Sequence, residues 1–362
     1  EDDLVLATFG RGFYVLDDYS ALRTVSDELL GREAVLFEVA DALSYMETRS
    51  RQYSQGDSFY VAPNPPYGAV FTYYLEKGLK TRAERRRELE EKAREEERTA
   101  PYPSWDELRA EDDEVEPEVV LVVRDAAGDV VRRVPGAREK GIHRVAWDLR
   151  YPSGKPVSLK EAGDFAPWER APVGPHVLPG TYSVTLTSVV DGEVSELAAA
   201  EECEVTPLGL ATLPASDRDA VLDFSRRVAD LQRAVHGAVK AAEEADTRVK
   251  YLTKAITDTP EADPSLRDEL HGIRAELRRL QDELSGDTTL SSRWQPTRPS
   301  IVRRVDRIVY GLWYTTSAPT QTQRDSYDHA SDAFEENLAG LRTLIEDRLV
   351  KLETALEAIG EI

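Results

Sequence analysis

Two hydrophobic periods divide the chain. Up to about residue 207 apolar side chains tend to recur at every second position, and beyond it at every third or fourth, the spacings of strands and helices. Leu4-Val-Leu-Ala-Thr8 and Phe13-Tyr-Val-Leu16, joined through Gly10-Arg-Gly12, predict a β-hairpin. A lone hairpin is marginal in water, so these strands need others to pair with. Residues 21–62 read as a connector, with Leu22, Val25, Leu29 and Leu30 at helical spacing, an extended Val35-Leu36-Phe37 and a polar loop over 50–58. A Pro-rich entry at Pro63 leads into the aromatic strand that ends at Leu75.

Strand signals resume at Val119 and continue to Val205. Val119–Asp125 and Val130–Val134 flank an Ala-Ala-Gly-Asp turn, Gly141–Asp148 alternates, and Pro179-Gly180 feeds Tyr182, Val184 and Leu186 onto one face. The span 63–207 is therefore expected to form an antiparallel β-sandwich. Two stretches interrupt it. The first is a charged helical insertion over 80–118, an Arg- and Glu-dense helix to residue 98 followed by an acidic stretch read as a loop, with Trp105 its one large anchor. The second, 151–176, carries Trp168 and is rich in proline.

From residue 208 the stripes are helical. Val228, Leu231, Val235 and Val239 form one, and Leu266, Leu270, Ile273, Leu277, Leu280 and Leu284 a second. Ile301, Val305, Ile308, Val309 and Leu312 form a third, and Leu338, Leu341, Ile345, Leu349, Leu352, Leu356 and Ile359 a fourth. Breaks at 258–264, 285–299 and 315–320, with Pro214 and Pro319 as helix starts, predict an antiparallel four-helix bundle over 208–362.

Charge narrows the partners. A net charge of −22 repels nucleic acid and anionic membrane faces, and no run approaches the length of a membrane span. Cys203, the single cysteine, excludes an internal disulfide and a cysteine-rich zinc site, and its strand setting predicts a buried thiol. The histidines His143, His176, His236, His271 and His329 have no metal-ligand spacing. Asp112, Asp113, Glu114 and Glu116 lack the glycine-punctuated oxygen spacing of a calcium loop and read as solvated. Ser153-Gly-Lys155 lacks the remainder of a phosphate-binding loop, and no serine-nucleophile elbow is present. No catalytic residue, cofactor or metal is therefore assigned. Strand phase puts Trp147 and Tyr182 in the core, whereas Trp105 and Trp168 lie in insertions where a core role is least compulsory and are the candidate ligand or partner contacts.

Three groups of residues carry a resemblance. Leu6-Ala-Thr-Phe-Gly-Arg-Gly12 with Asp17-Asp18 resembles the last blade of the β-propeller in bacterial secreted proteins with sortilin-like or BNR (sialidase-type) repeats. Asp125-x-x-Gly128 with Val130-Val-Arg132, Gly141-Ile-x-Arg-Val-x-Trp-Asp148 and Leu178-Pro-Gly-Thr-Tyr-x-Val-x-Leu186 resemble the immunoglobulin-like domain of flagellar hook-capping proteins, which follows many such propellers. Tyr310-Gly-Leu-Trp-Tyr314 running into Ala318-Pro-Thr320 and Gln323 is similar to their helical tail. Phe9 departs from the pattern, standing where many relatives have histidine.

The resemblance implies an α+β multidomain chain: the edge hairpin of a truncated propeller over 1–20, an immunoglobulin-like sandwich and a helical bundle. It implies a noncatalytic accessory region of an exported protein, with a signal peptide upstream of Glu1. Its partners would be the upstream propeller domain and a glycan or protein ligand. Two alternatives make the parent a glycoside hydrolase or sialidase-like enzyme with its catalytic propeller upstream, or a sortilin-like peptide-binding receptor. A sialidase centre draws its arginines, tyrosine and acid from several blades, so Arg11 and Asp17 read here as a turn and a strand-end cap.

Overall fold

The computed structural model describes residues 2–46, 64–100, 102–157, 171–209, 216–260 and 263–358. Trp168, the 50–58 loop, Pro63, Pro214 and Ile359 lie outside them. The chain is α+β and separates into two compact units, Glu1–Tyr151 with Val177–Leu210, and Pro152–His176 with Ala211–Ile362.

In the first unit β1 (Leu4–Thr8) and β2 (Gly12–Leu16) pair antiparallel as an isolated two-stranded sheet, Leu6 opposite Tyr14 and Ala7 opposite Phe13. Arg144 clips its base, donating to the Asp17 carbonyl at 2.8 Å, and the Tyr19 amide donates to the Asp2 carbonyl at 2.7 Å. Two short helices follow, α1 (Ser20–Arg23) and α2 (Asp27–Leu30), then the three-residue strands β3 (Ala34–Leu36) and β4 (Ala42–Ser44). The connector expected at 21–62 thus supplies an edge strand to each of two sheets.

One sheet runs β3-β5-β8, with β5 (Ala69–Leu75) central and β8 (Gly141–Trp147) on its far side. The other runs β4-β11-β9-β6-β7, formed by β6 (Glu118–Arg124), β7 (Val130–Gly136), β9 (Gly180–Val190) and β11 (Glu201–Pro207), with the short β10 (Glu193–Glu196) also on β9. Every pairing is antiparallel except β4 with β11. Alternation explains the packing. Ala69, Phe71, Tyr73 and Leu75 of β5 share a core with Val119, Leu121 and Val123 of β6 and Tyr182, Val184 and Leu186 of β9. The intervening Tyr74 points the other way and packs with Val35, Phe37, Val25, Leu29 and Leu30, so α1 and α2 cover the outer face of the three-stranded sheet. Gly68 enters β5 at φ +105°, and a Cβ there would lie 1.9 Å from the Trp147 carbonyl oxygen.

The insertion between β5 and β6 differs from expectation in its second half. After α3 (Arg82–Glu95) the acidic stretch forms α4 (Trp105–Asp112) rather than a loop. Ser104 and Glu107 make a reciprocal capping box, satisfying amides that a helix start leaves open.

In the second unit α5 (Arg218–Asp258) is 41 residues long, about 60 Å at 1.5 Å per residue. It shares one core with α6 (Pro264–Ser285), α8 (Ile301–Leu312), α9 (Gln321–Arg342) and α10 (Val350–Glu357); α7 (Thr288–Ser291) is a single turn between α6 and α8. Ala238, Ala242 and Ala245 keep the middle of α5 slim where α6 approaches. Asn337, 2% exposed in this core, donates to the Leu280 carbonyl at 3.0 Å and to Glu283 at 3.2 Å, tying α9 to α6. Arg248 of α5 grips Glu353 of α10 through both carboxylate oxygens at 2.8 and 2.6 Å.

Between α9 and α10 the helix widens into a π segment, Thr343–Leu349. Leu344 and Leu349, five residues apart, are both buried there. The fourth stripe read from sequence used Ile345, which is only partly buried, and omitted Leu344.

The excursion from the sheets, Pro152–His176, belongs to this second unit. Gly154 lies so close to α5 that a Cβ would sit 2.6 Å from the Ala229 carbonyl oxygen, and Lys240 donates to the Val157 carbonyl at 3.1 Å.

Candidate functional site

Trp105 occupies the first turn of α4 and is 70% exposed. The helix beneath it is held by charge rather than by apolar packing. Arg86 of α3 forks onto both oxygens of Glu111 at 2.7 and 2.8 Å, and Glu114 accepts from the Arg82 amide at 2.6 Å. The Arg86 fork holds the Glu111 carboxyl below the usual carboxylate range. Glu84 is held low as well, first by the Thr81 amide and then by Arg138, which reaches it from the connection between β7 and β8 at 3.0 and 3.1 Å. Glu111 and Glu114 of the acidic run are thus counter-charges for the arginines of α3, and among the described residues no group of three or more His, Cys, Asp or Glu side chains is arranged to hold a metal ion. Trp168, the other candidate contact, falls in the part of its insertion outside the described residues.

Trp147 and Tyr182 are core residues. Trp147 is 1% exposed and its indole donates to the Arg150 carbonyl at 3.0 Å; Tyr182 donates to the Leu178 carbonyl at 2.7 Å, and their rings meet edge to face at 5.2 Å. With both polar atoms committed and both rings covered, neither serves as a ligand platform. Cys203 is buried, and burial pushes its thiol up to about 11, away from nucleophilic reactivity. Tyr73, also buried, is pushed up to about 12 and donates to the Ala137 carbonyl at 2.7 Å.

Sequence reading missed one polar cluster. Gln232 and His236 of α5, one turn apart, both reach Oδ1 of Asp306 on α8, at 2.8 and 3.0 Å. Burial pushes the Asp306 carboxyl up, but hydrogen bonds from His236 and Gln232 and the charges of His236 and Lys155 outweigh it and leave it below its ordinary value. Gln232 and His236 adjoin Leu231 and Val235 in the stripe of α5, and that polar pair on the rim of an apolar face was the signal available. The cluster joins α5 to α8 and brings the charge of Lys155 beside them; its three side chains make a structural tie.

The surface that stands out is the hairpin. All ten residues of β1 and β2 are exposed. Directly opposed residues share a face, so Leu4, Leu6, Tyr14 and Leu16 line one side and Val5, Ala7, Phe13 and Val15 the other. Phe9 at the turn and Phe13 beside it are 107% and 78% exposed. A strand apolar on both faces is the pattern of sheets covered on both sides, yet the described residues leave both faces and both edges open. Such an edge is a template for further strands.

No family model, curated protein or solved structure matches the chain.

Proposed function

We propose that the chain is a noncatalytic accessory region of an exported β-propeller protein, joined to the propeller through the β1–β2 hairpin. In this reading the two sheets of the first unit form an immunoglobulin-like sandwich and the second unit an antiparallel helical bundle. Their work is to brace the propeller and dock a protein or glycan. The single observation that carries the reading is the hairpin with two exposed apolar faces. Strands patterned for burial on both sides take their partners from outside the described residues. The strand phrases quoted for the resemblance support the same assignment. The burial of Trp147, Tyr182 and Cys203 supports scaffolding over chemistry in this region.

The test is the intact mass and N-terminal sequence of the native protein isolated from its source. A mass well above 40.5 kDa, with upstream repeats of about 45 residues in propeller-blade pattern, is the expected result. A native protein beginning at Glu1 refutes the reading.

A further inference from the structure

One stretch of the second unit is basic in a chain that is acidic as a whole. Between Arg293 and Tyr314 there are five arginines, Arg293, Arg298, Arg303, Arg304 and Arg307, and one acid, Asp306, which is already held by Gln232 and His236. The molecule as a whole is at −22. Some arginines elsewhere meet carboxylates, as Arg86 does Glu111, Arg248 Glu353 and Arg279 Glu276. The three arginines of α8 meet none among the described residues.

Helical phase collects these groups. At about 100° per residue, Ile301, Val305, Ile308 and Leu312 point into the packing, and Arg303, Arg307, Tyr310 and Tyr314 fall on the opposite side. Arg303 and Arg307 are exposed, and Tyr310 is 53% exposed with its ring edge-on to Tyr314 at 5.0 Å. The two arginines are one turn apart, about 6 Å along the axis.

The segment leading into α8 adds to the surface. Residues 287–299 form a loop with close ends, since a Cβ on Gly286 would lie 3.7 Å from that of Ser300; compact loops of this kind are frequently functional. Within it Trp294 stands 95% exposed, in the left-handed region at φ 56°. That conformation is a genuine outlier for a bulky side chain. Backbone bonds from the Trp294 amide to Ser291 at 3.1 Å and from the Gln295 amide to Leu290 at 3.1 Å hold it.

We propose that the outer face of α8, with Trp294 in the loop that leads into it, docks a short acidic polypeptide segment bearing an aromatic or apolar side chain. Unpaired guanidinium forks suit carboxylates two oxygens at a time, and clustered arginines are a recurring means of capturing acidic motifs. Tyr310 and Trp294 supply the rigid aromatic anchors that interfaces favour. Charge complementarity selects the partner's sign, and a chain at −22 as a whole repels a long polyanion such as nucleic acid, which favours a short segment.

The test uses the whole chain and a short fluorescein-labelled peptide of Asp and Glu with phenylalanine at every fourth position, read by fluorescence anisotropy. Binding is expected to weaken as salt rises, because exposed ion pairs are screened. The charge reversal Arg303→Glu/Arg307→Glu should weaken it by about tenfold, the product of two exposed ion pairs each worth a factor of about three. Trp294→Ala should weaken it further, and Arg303→Lys/Arg307→Lys should retain an intermediate affinity. Because both arginines are exposed and unpaired, melting temperature should not move, and the lysine pair provides the comparison should the glutamates disturb folding. Failure of the peptide to bind, or affinity unchanged by charge reversal, overturns the proposal. So does an oligonucleotide of equal charge that binds as tightly. None of these outcomes depends on whether a propeller lies upstream.

Discussion

If the hairpin is half of an interface, Leu6→Thr with Phe13→Thr should be silent in one context and severe in another. The two positions lie on opposite faces of the β1–β2 pair and are 53% and 78% exposed. Threonine keeps a β-branched fit to the pleat while removing most of the apolar surface. In the isolated chain, surface changes of this kind stay within about 0.5 kcal/mol, which for units of this size shifts the melting temperature by less than about 2 °C. In the chain extended by its natural upstream residues, both side chains would be buried in a sheet, where each contributes about 2 kcal/mol. The pair should then cost about 4 kcal/mol, or about 8–16 °C for a cooperative unit of roughly 150–250 residues that includes the hairpin. The assay is differential scanning calorimetry of four proteins, with and without the extension and the substitutions. The reasoning fails if the substitutions destabilise the isolated chain as much as the extended one, or leave both unchanged.

Three further outcomes follow from packing and protonation. Cys203, buried with its thiol pushed up to about 11, should react with a thiol-specific disulfide reagent at pH 8 only on unfolding; rapid reaction of the native chain would contradict its burial. Gly68→Ala should destabilise the first unit by about 2 kcal/mol or more, through backbone strain at φ +105° and a clash with the Trp147 carbonyl, seen as a lower urea midpoint. The Asp306 carboxyl is held low, so its ionised form stabilises the helices above its unfolded value near about 3.9. That contribution is lost as pH falls through the lower folded value, and Asp306→Asn should flatten the acid limb of the second unit's unfolding curve.

Much of the architecture was legible because period survives in a sequence. The stripes at Leu270–Leu284 and Ile301–Leu312 gave their helices directly, and the phase of Trp147 and Tyr182 placed both inside. What escaped lacked a period or joined distant positions. β3 and β4 are three residues each, too short for alternation to register, and the parallel pairing of β4 with β11 joins residues about 160 apart. α4 was hidden by acidic composition, although Ser104-x-x-Glu107 was a readable capping box. The contact surface of α8 was hidden for a different reason. The stripe Ile301–Leu312 drew attention to interior packing, while the unpaired state of Arg303 and Arg307 depends on where every carboxylate of the fold lies.

The π segment before α10 has a consequence for how this helix tolerates changes of length. A π turn amounts to one residue more than an α-helix needs over the same rise, so the chain between Leu344 and Leu349 carries a spare position. Deleting Glu346, which is exposed, would bring those two leucines to a spacing of four, the natural α repeat, and leave Leu352 and Leu356 aimed at the same core. The same deletion one turn earlier in α9 would rotate everything after it by about 100° and turn that leucine face toward water. The C-terminal helix is therefore expected to accept a shortened register at one place along its length, and to show it as an unchanged melting temperature.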